Sequence, residues 1–169
     1  MSGEVTFVPA ERKDLPVITQ LAPEIWRCAY RKILSAGQIA YMLKMMYSPE
    51  KLQADFDSGV KFRLIDYDGR AVGFFAFFEC EDDRSTLKLD KLYLQQDFHG
   101  LGIGSKVLDF LTVCATDAGY KKIKLNVNKA NSRAISAYTR NGFKKKESVK
   151  IDIGKGFFMD DFVMEKKLM

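Results

Sequence analysis

Histidine is almost absent from this chain of 169 residues. His99 is its one example, and there is no Cys-x-x-Cys pair, which argues against a structural zinc site. The three cysteines, Cys28, Cys80 and Cys114, are odd in number and too widely spaced for a disulfide framework. Cys114 falls on an apolar helical stripe and Cys28 within a helical pattern, so buried, reduced thiols of a cytoplasmic protein are expected. Proline and glycine, at 4 and 12 residues, are not enriched, which excludes wholesale disorder. No apolar run approaches the length needed to span a bilayer. The opening stretch MSGEVTFVPAERKD lacks the apolar core of a signal peptide. A cytoplasmic protein with no membrane partner is therefore expected. There is no internal repeat, low-complexity tract or Pro/Ser-rich linker, and the length fits a single domain over residues 1–169.

What is present is ordinary for a chain that buries its own core: 47% hydrophobic and 29% charged residues. The formal net charge of +5 suits a phosphate-bearing ligand or a generally basic surface. It is too small to argue for nucleic acid, and the lysines at 121, 122, 124 and 144–146 come with no aromatic-basic motif or recognition helix. No nucleic-acid partner is expected.

Hydrophobic spacing divides the chain into elements. Val5 to Pro9 reads as a strand. Leu15, Ile18, Leu21, Ile25 and Ala29 mark an amphipathic helix from Lys13 to about Arg31, and Ile39, Leu43 and Met46 mark a second from Ser35. Ser48-Pro49-Glu50 begins another short helix. Phe62 to Tyr67 and Ala71 to Glu79 read as strands joined at Asp68-Gly69, and Thr86 to Leu94 as a third in an antiparallel meander. A helix from about 103 to 118, stopped by Gly119, leads to the alternating strand Ile123, Leu125, Val127. Strand, helix and strand make a crossover unit, so these two strands should run parallel. Asn131 caps a helix to about Arg140, and two closing strands follow. The fold class is α/β (α+β), a mixed sheet flanked by helices.

One loop carries chemistry. His99-Gly100-Leu101-Gly102-Ile103-Gly104 runs from a strand into a helix N-terminus, where free N–H groups and the helix dipole favour an anion. The glycines remove side chains that would block close approach of a phosphate. A Walker loop would need Lys-Ser after its last glycine, and that pair is missing. A dinucleotide fingerprint would need a third glycine where Ser105 stands, and an acid near Val127-Asn128.

Together with Asn131, Ala134, Tyr138, Gly142 and Phe143, in the pattern N-x-x-A-x-x-x-Y-x-x-x-G-F, the loop resembles the GNAT superfamily of N-acetyltransferases. Its loop pattern is [Q/R]-x-x-G-x-[G/A], so His99 is the one departure. The resemblance implies a mostly antiparallel sheet of six to seven strands with about four helices and a splayed parallel pair. It also implies acetyl-CoA as donor and no metal. The backbone of Leu92, Tyr93 and Leu94 would hold the pantetheine arm. The N–H groups of His99, Gly100, Leu101, Gly102, Ile103, Gly104 and Ser105 would hold the pyrophosphate. Asn131 would bond the cofactor as well as cap its helix, and a neutral His99 would weaken the phosphate contact. Members are often homodimers.

Acyl transfer from a thioester to an amine needs a proton acceptor for the amine and a donor for the leaving thiolate. Tyr138 matches the family's acid. A phenol with a pKa near 10 can protonate a thiolate whose acid lies near 8.5. Asp90 is the candidate base and Glu79 its rival. Trp26, Tyr30, Tyr41, Tyr47, Phe157 and Phe158 are core or acceptor-pocket residues. Acidic residues including Glu81, Asp82, Asp83, Asp160 and Asp161 would attract a cationic acceptor. The stretch Tyr30 to Tyr47 is loosely similar to bacterial polyamine acetyltransferases. The expected acceptor is a small primary amine such as a polyamine. A protein lysine or N-terminal amine, or a non-catalytic acyl-CoA sensor, are the alternatives.

Overall fold

Local spacing and caps become seven strands and five α-helices in the computed structural model, which describes residues 3–169. Met1 and Ser2, the start of the stretch compared with a signal peptide, lie outside the described residues. In chain order the elements are β1 (Val5–Pro9), α1 (Leu15–Tyr30), α2 (Ala36–Tyr47), α3 (Pro49–Asp57), β2 (Lys61–Tyr67), β3 (Arg70–Glu79), β4 (Thr86–Leu94), α4 (Ile103–Asp117), β5 (Lys122–Asn128), α5 (Ser132–Arg140), β6 (Lys144–Gly154) and β7 (Phe157–Lys167). The strands hydrogen-bond in the order β1-β2-β3-β4-β5-β7-β6. As the crossover requires, β4 and β5 are parallel, while β1–β2, β2–β3, β5–β7 and β6–β7 are antiparallel. The short helix marked at Ser48 is α3, which brings the helices to five rather than about four. No helix among the described residues is long and apolar enough to cross a membrane.

The described residues group into two compact units: 3–78 with Lys91–Ile103, and Glu79–Asp90 with Gly104–Met169. In the first unit, α1 buries Leu15, Ile18, Ala22, Ile25, Trp26 and Tyr30 at three- and four-residue spacing. Cys28 falls between these positions and is exposed, against the buried thiol expected; Cys80 is buried and Cys114 half-buried. Ser35 caps α2 by accepting from the Gln38 N–H at 3.1 Å, and Ser48 caps α3 by accepting from Lys51 N–H at 3.2 Å. The turn between β2 and β3 places Asp68 and Gly69 at φ 51° and 83°, the left-handed geometry of a tight hairpin.

In the second unit, β5 buries Ile123, Leu125 and Val127 on one face, and α4 buries Val107, Leu108, Leu111 and Ala115. Lys166 of β7 reaches α4, its Nζ donating to Thr112 Oγ1 at 3.0 Å. β6 ends the strand order, and eight of its eleven residues are exposed. Its lysines discourage strand addition at that edge.

Candidate active site

The end of β4 is set by a glycine that the motifs do not include. Gly73 sits in the middle of β3, and a Cβ built on it would stand 2.4 Å from Tyr93 O and 3.1 Å from Leu94 Cα. A lone glycine inside an aromatic strand is a recognisable signal of close backbone approach. Past it, Gln95 N–H donates to Val72 O at 2.9 Å. The side chain of Tyr93 joins Trp26, Tyr30, Tyr47 and Phe74 in one aromatic cluster. The Tyr30 and Tyr93 hydroxyls are 3.0 Å apart, and Trp26 Nε1 donates to Tyr47 Oη at 3.1 Å. Lys91, only 4% exposed, holds its ammonium 5.5 Å from the Tyr47 ring centroid. Of the aromatics expected in the core or the pocket, Trp26, Tyr30 and Tyr47 are core, and Phe158 is exposed.

The glycine loop is anchored at both ends. Its first residue, His99, turns its ring back, and Nε2–H donates to the Leu94 carbonyl at 2.9 Å. A carbonyl only accepts, so the bond places the proton on Nε2. Ile103 closes the loop, buried at 1% exposure as the first residue of α4. Between them Gly100 and Gly102 hold φ of 80° and 77°, which favours glycine. A Cβ on Gly100, Gly102 or Gly104 would meet no protein atom within 4 Å. The glycines thus leave their Cβ positions open at a helix start, where free N–H groups favour a phosphate. The strand edge, the bare loop and the helix N-terminus suit the parts of coenzyme A that the resemblance assigns to them.

The parallel ladder between β4 and β5 has four registered pairs, from Thr86↔Lys122 to Leu89↔Leu125. Both strands continue past it, β4 to Leu94 and β5 to Asn128. Asp90 follows the last pair directly. Glu79 stands at the other end, where Tyr120 Oη donates to its Oε1 at 3.1 Å and burial raises the Tyr120 phenol. The carboxylate beside the point where pairing stops is thus Asp90.

The second motif folds as a linked series. Asn131 caps α5, its Oδ1 accepting from Ala134 N–H at 3.3 Å. Two turns on, Tyr138 packs edge-on against Phe143 at 5.7 Å, and Phe143 N–H donates to Tyr138 O at 3.0 Å. Asn141 ends the helix. Its Nδ2 donates to Ala137 O at 2.8 Å and to Ser105 Oγ at 3.1 Å. The first turn of α4 is thereby tied to the helix that bears Tyr138, a link the motif does not announce.

Two groups of expected site residues are each brought together. His99 ties the loop to Leu94 in the first unit, and Asn141 ties Ser105 to the helix of Asn131 and Tyr138 in the second. Asp90 is on β4 and Tyr138 on α5. Among the described residues no group of three or more His, Cys, Asp or Glu is placed to hold a metal ion.

The topology, the parallel pair and the glycine loop at a helix start are those that the resemblance to the N-acetyltransferase superfamily implies. Residues 21–143 match the family model described as acetyltransferase (GNAT) family, and the chain belongs to that family. A spermidine N(1)-acetyltransferase of Thermoplasma acidophilum is 28% identical over 174 residues, covering 99% of this chain and 98% of the relative. An uncharacterised N-acetyltransferase of Mycobacterium bovis is 34% identical over 103 residues. That alignment covers 61% of this chain and 64% of the relative, so the chain spans less than two thirds of that protein. Among solved structures, the PaiA N-acetyltransferase of T. acidophilum in complex with coenzyme A superposes with a TM-score of 0.81. It is 26% identical, and the match covers 97% of this chain and 99% of that one.

Proposed function

We propose that this chain transfers the acetyl group of acetyl-CoA to a primary amine, and that the acceptor is a polyamine or another small amine bearing more than one charge. The observation that carries the donor assignment is the glycine loop. It leads into the start of α4, and the Cβ positions of Gly100, Gly102 and Gly104 are open. The acceptor class is supported by the full-length likeness to a spermidine acetyltransferase.

Acetyl-CoA supplies an already activated acetyl thioester, so no protein nucleophile is needed. The buried thiol of Cys80 is pushed up by desolvation and is a poor thiolate. The backbone of Leu92 to Leu94 holds the pantetheine arm, and the amides from Gly100 to Ser105 hold the pyrophosphate; the expected His99 N–H is instead given to Gln96 O at 3.0 Å. Asp90 takes the proton of the attacking amine. Tyr138 gives a proton to the departing sulfur.

Acetyl transfer measured with spermidine, a diamine, a monoamine and a lysine peptide tests the assignment. Turnover with the polyamines above that with the peptide is expected. Turnover of the peptide alone would replace the acceptor class with protein amines. No thioester-dependent turnover of any amine would leave a non-catalytic acyl-CoA binder.

A further inference from the structure

Asp161 is a charged group with too few partners. It lies on β7 with 5% exposure, and aspartates are almost never so buried unless paired. No ion pair joins it among the described residues. Lys129 is spent on Asp160 at 2.9 Å, and Lys88 acts on Asp161 only at longer range. What it has is an amide. The register Asn128↔Asp161 and Asn126↔Val163 makes Asn126 its diagonal neighbour on the same strand face, and the Asn126 side chain hydrogen-bonds to it.

Asn126 is itself incomplete. Its Oδ1 is fully buried and has no hydrogen-bond partner. Buried polar atoms are nearly always satisfied, and each exception asks for a missing donor. A carboxylate and an amide oxygen, side by side and short of donors, match a group that is cationic and carries several N–H bonds. An ammonium has three. Burial and Asp160 raise the Asp161 carboxyl, while Lys88, Asn126 and Lys129 act to keep it ionised. Lys88 pairs in register with Lys124, so strand alternation puts Lys88, Asp90, Asn126 and Asp161 on one face of β4, β5 and β7. The proposed base and the incomplete pair therefore belong to the same face of the second unit.

We infer that Asn126 and Asp161 recognise an ammonium group of the acceptor, with Asp161 supplying the charge and Asn126 Oδ1 the second acceptor atom. This deepens the acceptor assignment above and rests on it. It also names the residues that would separate a multiply charged acceptor from a singly charged one.

The test compares wild type, Asp161→Asn and Asn126→Ser in two assays: calorimetric binding of spermidine, and turnover of spermidine and of butylamine with acetyl-CoA. Asp161→Asn keeps the shape and removes a buried charge, so its melting temperature should hold. It should weaken spermidine binding at least about tenfold, as loss of a hydrogen bond to a charged group implies. The KM for acetyl-CoA should stay unchanged, and Asn126→Ser should fall between it and wild type. Wild-type turnover of spermidine with unaltered binding by Asp161→Asn would overturn this inference and leave the acceptor class standing. Binding that depends on Asp161 without turnover would keep the ammonium site and remove the acceptor assignment. Neither binding nor turnover would remove both. Should Asp161→Asn fail to fold, Asn126→Ser decides alone: unchanged spermidine affinity overturns the inference.

Discussion

Replacing Gly73 by alanine should damage both stability and donor binding, and the size of the effect follows from one contact. The added methyl would stand 2.4 Å from Tyr93 O, 3.0 Å from Leu94 Cδ1 and 3.1 Å from Leu94 Cα. The first and last are backbone atoms, which cannot swing aside as a side-chain tip can. β4 must move by about 1 Å to restore ordinary contact, and overpacking of this kind costs about 1–3 kcal/mol. Against this, alanine restricts the unfolded chain and returns roughly 0.4–1 kcal/mol. The net loss is at most about 2.6 kcal/mol, or up to roughly 10 °C of melting temperature in a domain of this size. The displaced residues, Tyr93 and Leu94, are those whose backbone is assigned to the pantetheine arm. The KM for acetyl-CoA should therefore rise more than kcat falls. Thermal unfolding and steady-state kinetics with varied acetyl-CoA measure the two effects. A variant with unchanged melting temperature and unchanged KM would refute the assignment of this strand edge to the donor.

Tyr138→Phe should retain acetyl-CoA affinity by calorimetry and lose on the order of 10²–10⁴ in kcat, the usual span for a general acid; kcat within a factor of two of wild type would remove Tyr138 from the chemistry. Asp90→Asn should lower kcat without altering acetyl-CoA binding, and an unaltered rate would strip Asp90 of its role as base. Asn141→Ala loses hydrogen bonds worth about 0.5–1.5 kcal/mol each. It should raise the KM for acetyl-CoA, and adding Ser105→Ala to it should cost less than Ser105→Ala does in wild type, as shared partners require. Asp83 accepts from Ser85 N–H, Ser85 Oγ and Thr86 Oγ1 at 3.1, 2.6 and 2.8 Å, and these bonds hold its carboxyl down to about 2. A depressed carboxyl stabilises above the ordinary value near 4 and ceases to do so as pH falls through its folded value. The gap in melting temperature between wild type and Asp83→Ala should therefore be full at neutral pH and close between about pH 4 and about pH 2. A gap that persists at the acid end would show that the charge is not its source.

Local chemistry made most of the fold legible. Ser35 and Ser48 announce α2 and α3 because a serine hydroxyl satisfies the first free amides of a helix. Asp68-Gly69 announces the hairpin because left-handed φ is easy there. The loop from His99 to Gly104 was legible for the same reason, since its glycines and the helix start are adjacent in sequence. What escaped depends on register between distant strands. Asn126 and Asp161 are 35 residues apart, and only the β5–β7 pairing makes them neighbours. His99 is expected to offer its N–H to the pyrophosphate, yet that N–H goes to Gln96 O at 3.0 Å and its ring to Leu94 O, because the turn at Gln96–Phe98 closes on it. The Asn141–Ser105 bond joins the ends of two helices that no periodicity relates. Cys28 was misjudged because helical spacing alone does not say where an apolar stripe ends.

The chain passes between its two units three times, after Phe78, Asp90 and Ile103. Each passage falls within a regular element: β3, β4 and α4. None is a linker rich in glycine or proline, so neither unit can be cut out as a continuous piece with its own ends. Melting either unit must fray an element that continues into the other. Heat or denaturant should accordingly meet one cooperative transition rather than two, with circular dichroism and Trp26 fluorescence changing together.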